Sequence, residues 1–392
     1  MIYLDNAATT YPKPKNVVDA VTQALYRRGA NPGRSGYAMA METDRALYLC
    51  RRKATQLFDA GEPENVIFTP GCTQAINIVL KGLLHNGDHV VVSDLEHNAV
   101  MRPLEGMREQ GVTWTAAHVT PGDPDATVDA FRKSLRSNTK LIICTHASNV
   151  FGIRLPVERL AALAHAYDIL FAVDAAQSAG VLPLRLRTDG IDFICAAGHK
   201  GLFGPMGTGF LITEKGDCLR PFCEGGTGSL SVSLTQPETL PDRFESGTQN
   251  VPGICGLSAG LDFVLQKTPE AIHRAEIGVL TGIYDGLSSI PGVRLYTARP
   301  DARHFAPVLS FNLDGLVSEE TGAALAERGI AVRCGLHCAP QAHQAFGTLE
   351  TGTVRVSPSV FTTRQQAGTF VAQVRRLAER SHKSGMEKAV GI

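Results

Sequence analysis

Residues 191–211, IDFICAAGHKGLFGPMGTGFL, decide how the rest of the chain is read. An apolar run, IDFICAA, ends at Gly198-His199-Lys200, and a second apolar run begins at Phe210. Between them stand Gly201, Gly204, Pro205, Gly207 and Gly209. Glycine at that density marks backbone that needs unusual φ or close approach to a neighbour. The pattern predicts strand, turn, strand, with Lys200 at the turn. A lysine there is either a surface charge or an amine held in a pocket to condense with a carbonyl. The surroundings decide between the two.

Upstream, short apolar runs at 66–68, 89–92, 112–117, 141–144 and 169–173 read as strands. Helical patterns at 74–84, 99–110, 128–135 and 157–167 separate them, and longer helices at 16–26 and 39–58 precede them. Strand and helix alternating at this pitch predict an α/β fold, a mostly parallel sheet with helices on both faces. In such sheets the binding crevice lies outside the carboxyl ends of the strands. Thr73, His97, Asn149, Asp174 and Lys200 all fall just past predicted strand ends. From about residue 270 the texture changes to a smaller α+β unit. Its helices are expected at 272–287, 318–328 and 363–379, and its strands near 293, 308–313, 331–333 and 353–356. The expected division is an N-terminal segment, 1–15, packing on the small domain, a large domain over 16–265, and a small domain over 266–392.

Composition narrows the function. The 392 residues have a formal net charge of zero, 44% apolar and 19% charged side chains, a balance that suits a soluble enzyme rather than a binder of nucleic acid or anionic membrane. The start, MIYLDNAATT, has neither the basic nor the long apolar part of a signal peptide. No apolar run approaches the ~20 residues of a membrane span. Nine scattered cysteines without a secretory signal are expected to be reduced thiols in the cytoplasm.

Four groups of residues carry chemistry. Thr73 follows Gly71 at a helix start, where it is either an N-cap or part of an anion site. Asp174 ends a buried strand. It faces solvent or serves a protonated pyridine nitrogen, and Gln177 three residues on is placed to donate to a phenolate oxygen. Cys334-Gly335-Leu336-His337-Cys338 fits no common zinc spacing, so no metal is expected. Cys338 is then either an inert buried thiol or, with Arg333 and His337 beside it, a thiolate. Arg355, in a short strand, forms a structural ion pair or grips a carboxylate.

Together these pieces resemble the class V aminotransferases, and within them the cysteine desulfurases. The resemblance rests on Tyr3-Leu4-Asp5-Asn6-Ala7-Ala8, Gly71-Cys72-Thr73, Glu96-His97-Asn98, Ser148-Asn149-Val150-Phe151-Gly152, Val173-Asp174-Ala175-Ala176-Gln177, Gly198-His199-Lys200, Glu245-Ser246-Gly247-Thr248, the Arg333–Cys338 run and Arg355. It implies an aspartate aminotransferase-like fold, pyridoxal 5′-phosphate as cofactor and a homodimer. Lys200 would bond the cofactor, Asp174 pair with its ring nitrogen, Gln177 with its ring oxygen, and His97 stack on the ring and act in catalysis. Thr73, Cys72 and His199 would form the phosphate cradle, completed across the dimer by Thr248. Asn149, which also borders the cofactor, and Arg355 would hold the substrate carboxylate, with Ala8 beside the substrate. Cys338 would take sulfur from L-cysteine as a persulfide, leaving L-alanine, and pass it to an acceptor protein. Ala197 stands where many members carry serine, which removes one phosphate contact. The short segment from Cys338 to Arg355 resembles the subgroup with a compact cysteine loop. Selenocysteine lyase and cysteine sulfinate desulfinase are the alternative activities, and a sulfur-relay module without turnover is the alternative of another class.

Overall fold

The computed structural model describes residues 1–33 and 36–390. Arg34 and Ser35, within the loop expected over 28–36, and the last two residues of the polar tail lie outside the described residues.

In chain order the strands are β1 (Ile2–Tyr3), β2 (Val66–Thr69), β3 (His89–Ser93), β4 (Thr113–Ala117), β5 (Thr139–Thr145), β6 (Leu170–Asp174), β7 (Phe193–Ala197), β8 (Gly209–Ile212), β9 (Val293–Leu295), β10 (Leu309–Leu313), β11 (Ile330–Ala331), β12 (Arg333–Gly335) and β13 (Thr353–Val356). The helices are α1 (Lys15–Arg27), α2 (Ala38–Phe58), α3 (Cys72–Leu83), α4 (Asn98–Gly106), α5 (Pro124–Ser134), α6 (Val157–His165), α7 (Val251–Lys267), α8 (Pro269–Ser288), α9 (Ser318–Ala326), α10 (Pro340–Ala345) and α11 (Arg364–Val390).

The main sheet has the order β2-β8-β7-β6-β5-β3-β4. It is parallel from β7 through β4, while β8 runs antiparallel between β7 and β2. Except for edge strand β4, the strands are largely buried on both faces, as a sheet covered by helices on each side requires. Val91, Ile142, Val173 and Ile194 belong to the apolar layer under α2, α5, α6 and α7. Val90, Ile143, Ala172 and Phe193 face α3 and α4. Side-chain alternation along each strand sorts the two sets. A second sheet, β12-β13-β10-β9, is antiparallel, and β1 pairs parallel with β11, Ile2 opposite Ile330. The N terminus therefore lies against a strand more than three hundred residues away.

Several elements differ from the sequence reading. Helix α5 begins at Pro124, not 128, because Asp123 caps it by accepting the Ala126 N–H at 2.9 Å and a proline suits the first helical position. The strand expected at 331–333 is split into β11 and β12, which serve different sheets. Helix α10 lies in a stretch read as loop, and it too opens on a proline.

One buried ion pair ties the early strands to the Glu245-Ser246-Gly247-Thr248 loop. Arg51 on α2 donates to both carboxylate oxygens of Glu245, at 2.8 and 2.6 Å, and Glu245 also accepts the Phe68 N–H of β2 at 2.6 Å. Both side chains are buried. Removing one partner leaves a desolvated charge alone, which costs about 3–5 kcal/mol. Glu245→Ala is therefore expected to lower unfolding free energy in urea by that amount. A loss below about 1 kcal/mol would mean that the pair is no more than a surface-type contact.

Candidate active site

The turn predicted at Lys200 is the long connection from β7 to the antiparallel β8. Gly207 within it has φ +76°, which favours glycine. At Gly209 a Cβ would sit 2.7 Å from the Gly71 Cα, so the start of β8 packs directly under the start of α3. The N-terminal segment grips this turn from outside. The His199 carbonyl accepts from the Thr10 N–H, the Thr9 hydroxyl and Lys13 Nζ, and the Lys200 carbonyl accepts from the Thr10 hydroxyl at 2.7 Å.

The strand ends converge on a cavity of about 490 Å³. It is bordered by Cys72 and Thr73 from α3, His97, Asn149, Asp174, Gln177, Ala197, His199 and Lys200. Burial lowers the Lys200 ammonium pKa from its ordinary range, with Asp174 opposing the shift and Arg355 adding to it. That makes the neutral, nucleophilic amine more accessible. Asp174, at the end of β6, is 3% exposed. Its Oδ1 accepts from the Cys72 thiol at 3.2 Å and the Ala176 N–H at 2.9 Å. Gln177 donates from Nε2 to the Ala7 carbonyl at 3.0 Å, which retains a second N–H on that nitrogen.

His97 caps α4. Its Nδ1 accepts the Ala99 N–H at 3.0 Å, so the neutral ring carries its proton on Nε2. Burial lowers its pKa, against the pull of Asp174. His199 is held at about 4 by burial first and then by Lys200 and Lys13, so its ring is neutral as well. Its Nδ1 is buried without a hydrogen-bond partner. His199 borders the same cavity as Gly71, Cys72 and Thr73, whose N–H groups at the start of α3 suit an anion. Ala197 borders the cavity without a polar atom to add.

Cys338 lies next door, on an adjoining groove of about 690 Å³ that shares Thr73 and His97 with the first cavity. It is exposed, and Arg333 Nη2 stands 3.7 Å from its sulfur. His337 plays a different part from the one expected. Its ring is buried against Thr353, Nε2 lying 3.1 Å from the Thr353 carbonyl, and burial, then Arg355, pushes its pKa down to about 2. A neutral ring turned into the protein leaves Arg333 as the cation beside the thiol. Both His337 and Cys338 have positive φ, 49° and 57°, costly for non-glycine residues. The strain is held by two bonds, from Asn149 Nδ2 to the His337 carbonyl and from the Asn98 N–H to the Cys338 carbonyl, each 2.7 Å.

Three expected site residues lie off the cavity lining. Arg355 is 1% exposed and stands behind Asn149. Its Nη1 donates to the Asn149 carbonyl at 2.9 Å and its Nη2 to Asp5 at 2.7 Å, while Nε is buried without a partner. Ala8 sits beyond the turn that bonds to Ser357. Thr248 is exposed, just before α7.

Sequence reasoning did not mark Arg51 or Glu96 as buried, nor Lys13 as half-buried. Glu96 is fully buried, and its Oε1 accepts from the Ser93 hydroxyl and, at 2.9 Å, from the Thr145 N–H, while Oε2 has no partner. Its place beside His97 in Glu96-His97-Asn98 was the only signal.

Residues 2–370 match the family model described as aminotransferase class-V. The chain belongs to that family. It is 35% identical over 374 residues to a protein of Methanothermobacter thermautotrophicus named "Probable cysteine desulfurase", covering 93% of this chain and 92% of the relative. It is also 35% identical over 387 residues to a "Cysteine desulfurase" of Synechococcus elongatus, where it covers 96% of itself but only 60% of that longer protein. The apo structure of a cysteine desulfurase from Thermococcus onnurineus NA1 superposes with a TM-score of 0.88 at 30% identity, over 96% of this chain and 94% of the other.

Burial pushes the Glu96 carboxyl up to about 8, opposed by its hydrogen bonds with Ser93 and Thr145. The folded protein then keeps this proton to about pH 8, whereas the unfolded chain releases it near the ordinary value of 4.5. Folded binds more protons than unfolded between those limits, so this group's contribution to stability falls as pH rises through them. Glu96→Gln keeps an acceptor oxygen and removes the titration. Its unfolding free energy relative to wild type is expected to rise steadily from about pH 5 to about pH 8. A difference constant across that range would show that Glu96 is ionised in the folded protein.

Proposed function

We propose that the protein is a pyridoxal 5′-phosphate-dependent cysteine desulfurase that converts L-cysteine to L-alanine and keeps the sulfur on Cys338. The observation that carries this reading is the convergence of Lys200, Asp174, Thr73 and His199 on one cavity, with the Cys338 thiol one step away past His97. The names of the relatives support the same activity.

The residues present fit the cofactor. The start of α3 with Thr73 and His199 would hold its phosphate, Asp174 its ring nitrogen, Gln177 its ring oxygen, His97 a ring face, and Lys200 its aldehyde carbon. When bound, the cofactor supplies a carbonyl that captures amines and a ring that accepts an electron pair. Lys200, whose Nζ amine would meet the aldehyde carbon, would take the substrate's α-proton on the same nitrogen. Asp174 keeps the proton on the ring nitrogen. Asn149 would receive the substrate carboxylate, and Arg355, buried behind it, would reach that carboxylate by giving up Asp5. Cys338, as thiolate beside Arg333, attacks the substrate sulfur. The sulfur–sulfur bond forms, the carbon–sulfur bond breaks, and the electron pair stays on carbon, which takes a proton to become alanine. The persulfide on exposed Cys338 then faces an acceptor protein.

The site is completed by a second copy. Thr248 is exposed in its own chain, and Leu230, Val232 and Leu234 in the preceding loop are 65%, 99% and 105% exposed, an apolar run that suits an interface. The homodimer would bring the partner's Thr248 to the phosphate cradle.

The experiment compares wild type and Cys338→Ala, both loaded with pyridoxal phosphate, on cysteine, selenocysteine and cysteine sulfinate. Wild type is expected to form alanine from cysteine. Cys338→Ala is expected to lose that activity by about a hundredfold or more, yet to keep much of any activity on selenocysteine, whose carbon–selenium bond is weaker. Full cysteine activity in Cys338→Ala would contradict the nucleophile assignment. Activity on selenocysteine or the sulfinate alone would move the function to those substrates.

A further inference from the structure

Cys72 is the first residue of α3, so its backbone belongs to the anion cradle while its side chain turns down to the sheet. Its sulfur lies 3.2 Å from Asp174 Oδ1 and 3.2 Å from the Cys195 carbonyl. One thiol proton faces two acceptors, and the carboxylate is the stronger. A thiolate there would set two buried anions against each other. Burial and the Asp174 charge raise the Cys72 pKa well above that of a free thiol, which keeps the proton in place. The Ala176 N–H reaches the same oxygen at 2.9 Å. Among the described residues these two donors are the ones that reach the carboxylate, and neither reaches Oδ2.

We propose that Cys72 is a positioning residue: with the Ala176 amide it pins Asp174 Oδ1, and so presents Oδ2 alone to the ring nitrogen of a pyridine cofactor. The proposal rests on the pyridoxal-phosphate reading and gives Cys72 an action through Asp174 instead of a contact with the phosphate. A carboxylate held by one oxygen is fixed in orientation, and its other oxygen stays free of competing donors to accept from the ring-nitrogen proton. Cys72 also packs with Cys195 and Ala197 in the layer under α3. A cysteine that only filled space would be replaceable by a side chain of similar volume.

Cys72→Ser keeps a donor, Cys72→Val keeps volume without one, and Cys72→Ala keeps neither. For each, pyridoxal phosphate is titrated into cofactor-free protein to give Kd. The pH at which the visible absorption of the loaded protein titrates is then recorded, with kcat and KM for L-cysteine beside it. Cys72→Val and Cys72→Ala are expected to bind about fivefold more weakly, to titrate at a shifted pH and to lose kcat with KM unchanged. Cys72→Ser is expected to stay within about twofold of wild type in all three. Valine at wild-type values, or serine as impaired as valine, would overturn the positioning role and leave packing. A wild type that binds no pyridoxal phosphate and shows no visible band would instead overturn the cofactor reading, and this proposal with it.

Discussion

The Asp174 carboxylate, held at the end of a buried strand and 3% exposed, is the constraint around which the rest is built. A carboxylate out of water must be hydrogen-bonded and faced by positive charge, or it takes up a proton. The fold meets the first requirement with the Cys72 thiol and the Ala176 amide. It meets the second with Lys200, brought to a neighbouring strand end by the β7–β8 connection. Each charge opposes the cost of burying the other. That mutual dependence leaves Lys200 able to act as amine or ammonium, and leaves the carboxylate one oxygen to offer a protonated nitrogen.

Distant parts of the chain hold this arrangement in place. Residues 9–13 close over the Lys200 turn by bonding to its carbonyls, which forces its side chain inward. The same N-terminal segment carries Asp5 to Arg355 on β13 and lays β1 along β11. Asn149, in the loop after β5, meets the second sheet through its carbonyl to Arg355 on β13, and its amide holds the strained turn that carries Cys338. One residue beside the cavity thus positions both the guanidinium and the turn bearing the thiol.

Much of this was legible in the sequence because buried parallel strands read as short apolar runs, and polar residues just past them mark a crevice. That logic placed Lys200, Asp174, His97 and Thr73 on one cavity. It failed where long-range pairing rules. The two residues of β1 carry no signal of their own, and the break between β11 and β12 reflects the needs of two sheets rather than local propensity. His337 illustrates a second limit. Sequence proximity to Cys338 suggested a cation beside the thiol, but a φ of 49° turns the ring toward Thr353. Glu245 was read as part of a functional motif, and its side chain is spent on Arg51. Side-chain direction in loops follows from backbone dihedrals that adjacent residue types do not specify.

The central claim is that the Lys200 amine is the one that meets the cofactor's aldehyde. Lys13 is a demanding competitor, since burial lowers its pKa to about 8 and its Nζ lies 2.7 Å from the His199 carbonyl. Borohydride reduction of the protein mixed with pyridoxal phosphate, followed by peptide mass mapping, separates them. The account predicts one pyridoxyl group per chain on the peptide holding Lys200, and none on that residue's alanine variant. The label on Lys13 or on several surface lysines, with Lys200 bare, would contradict it.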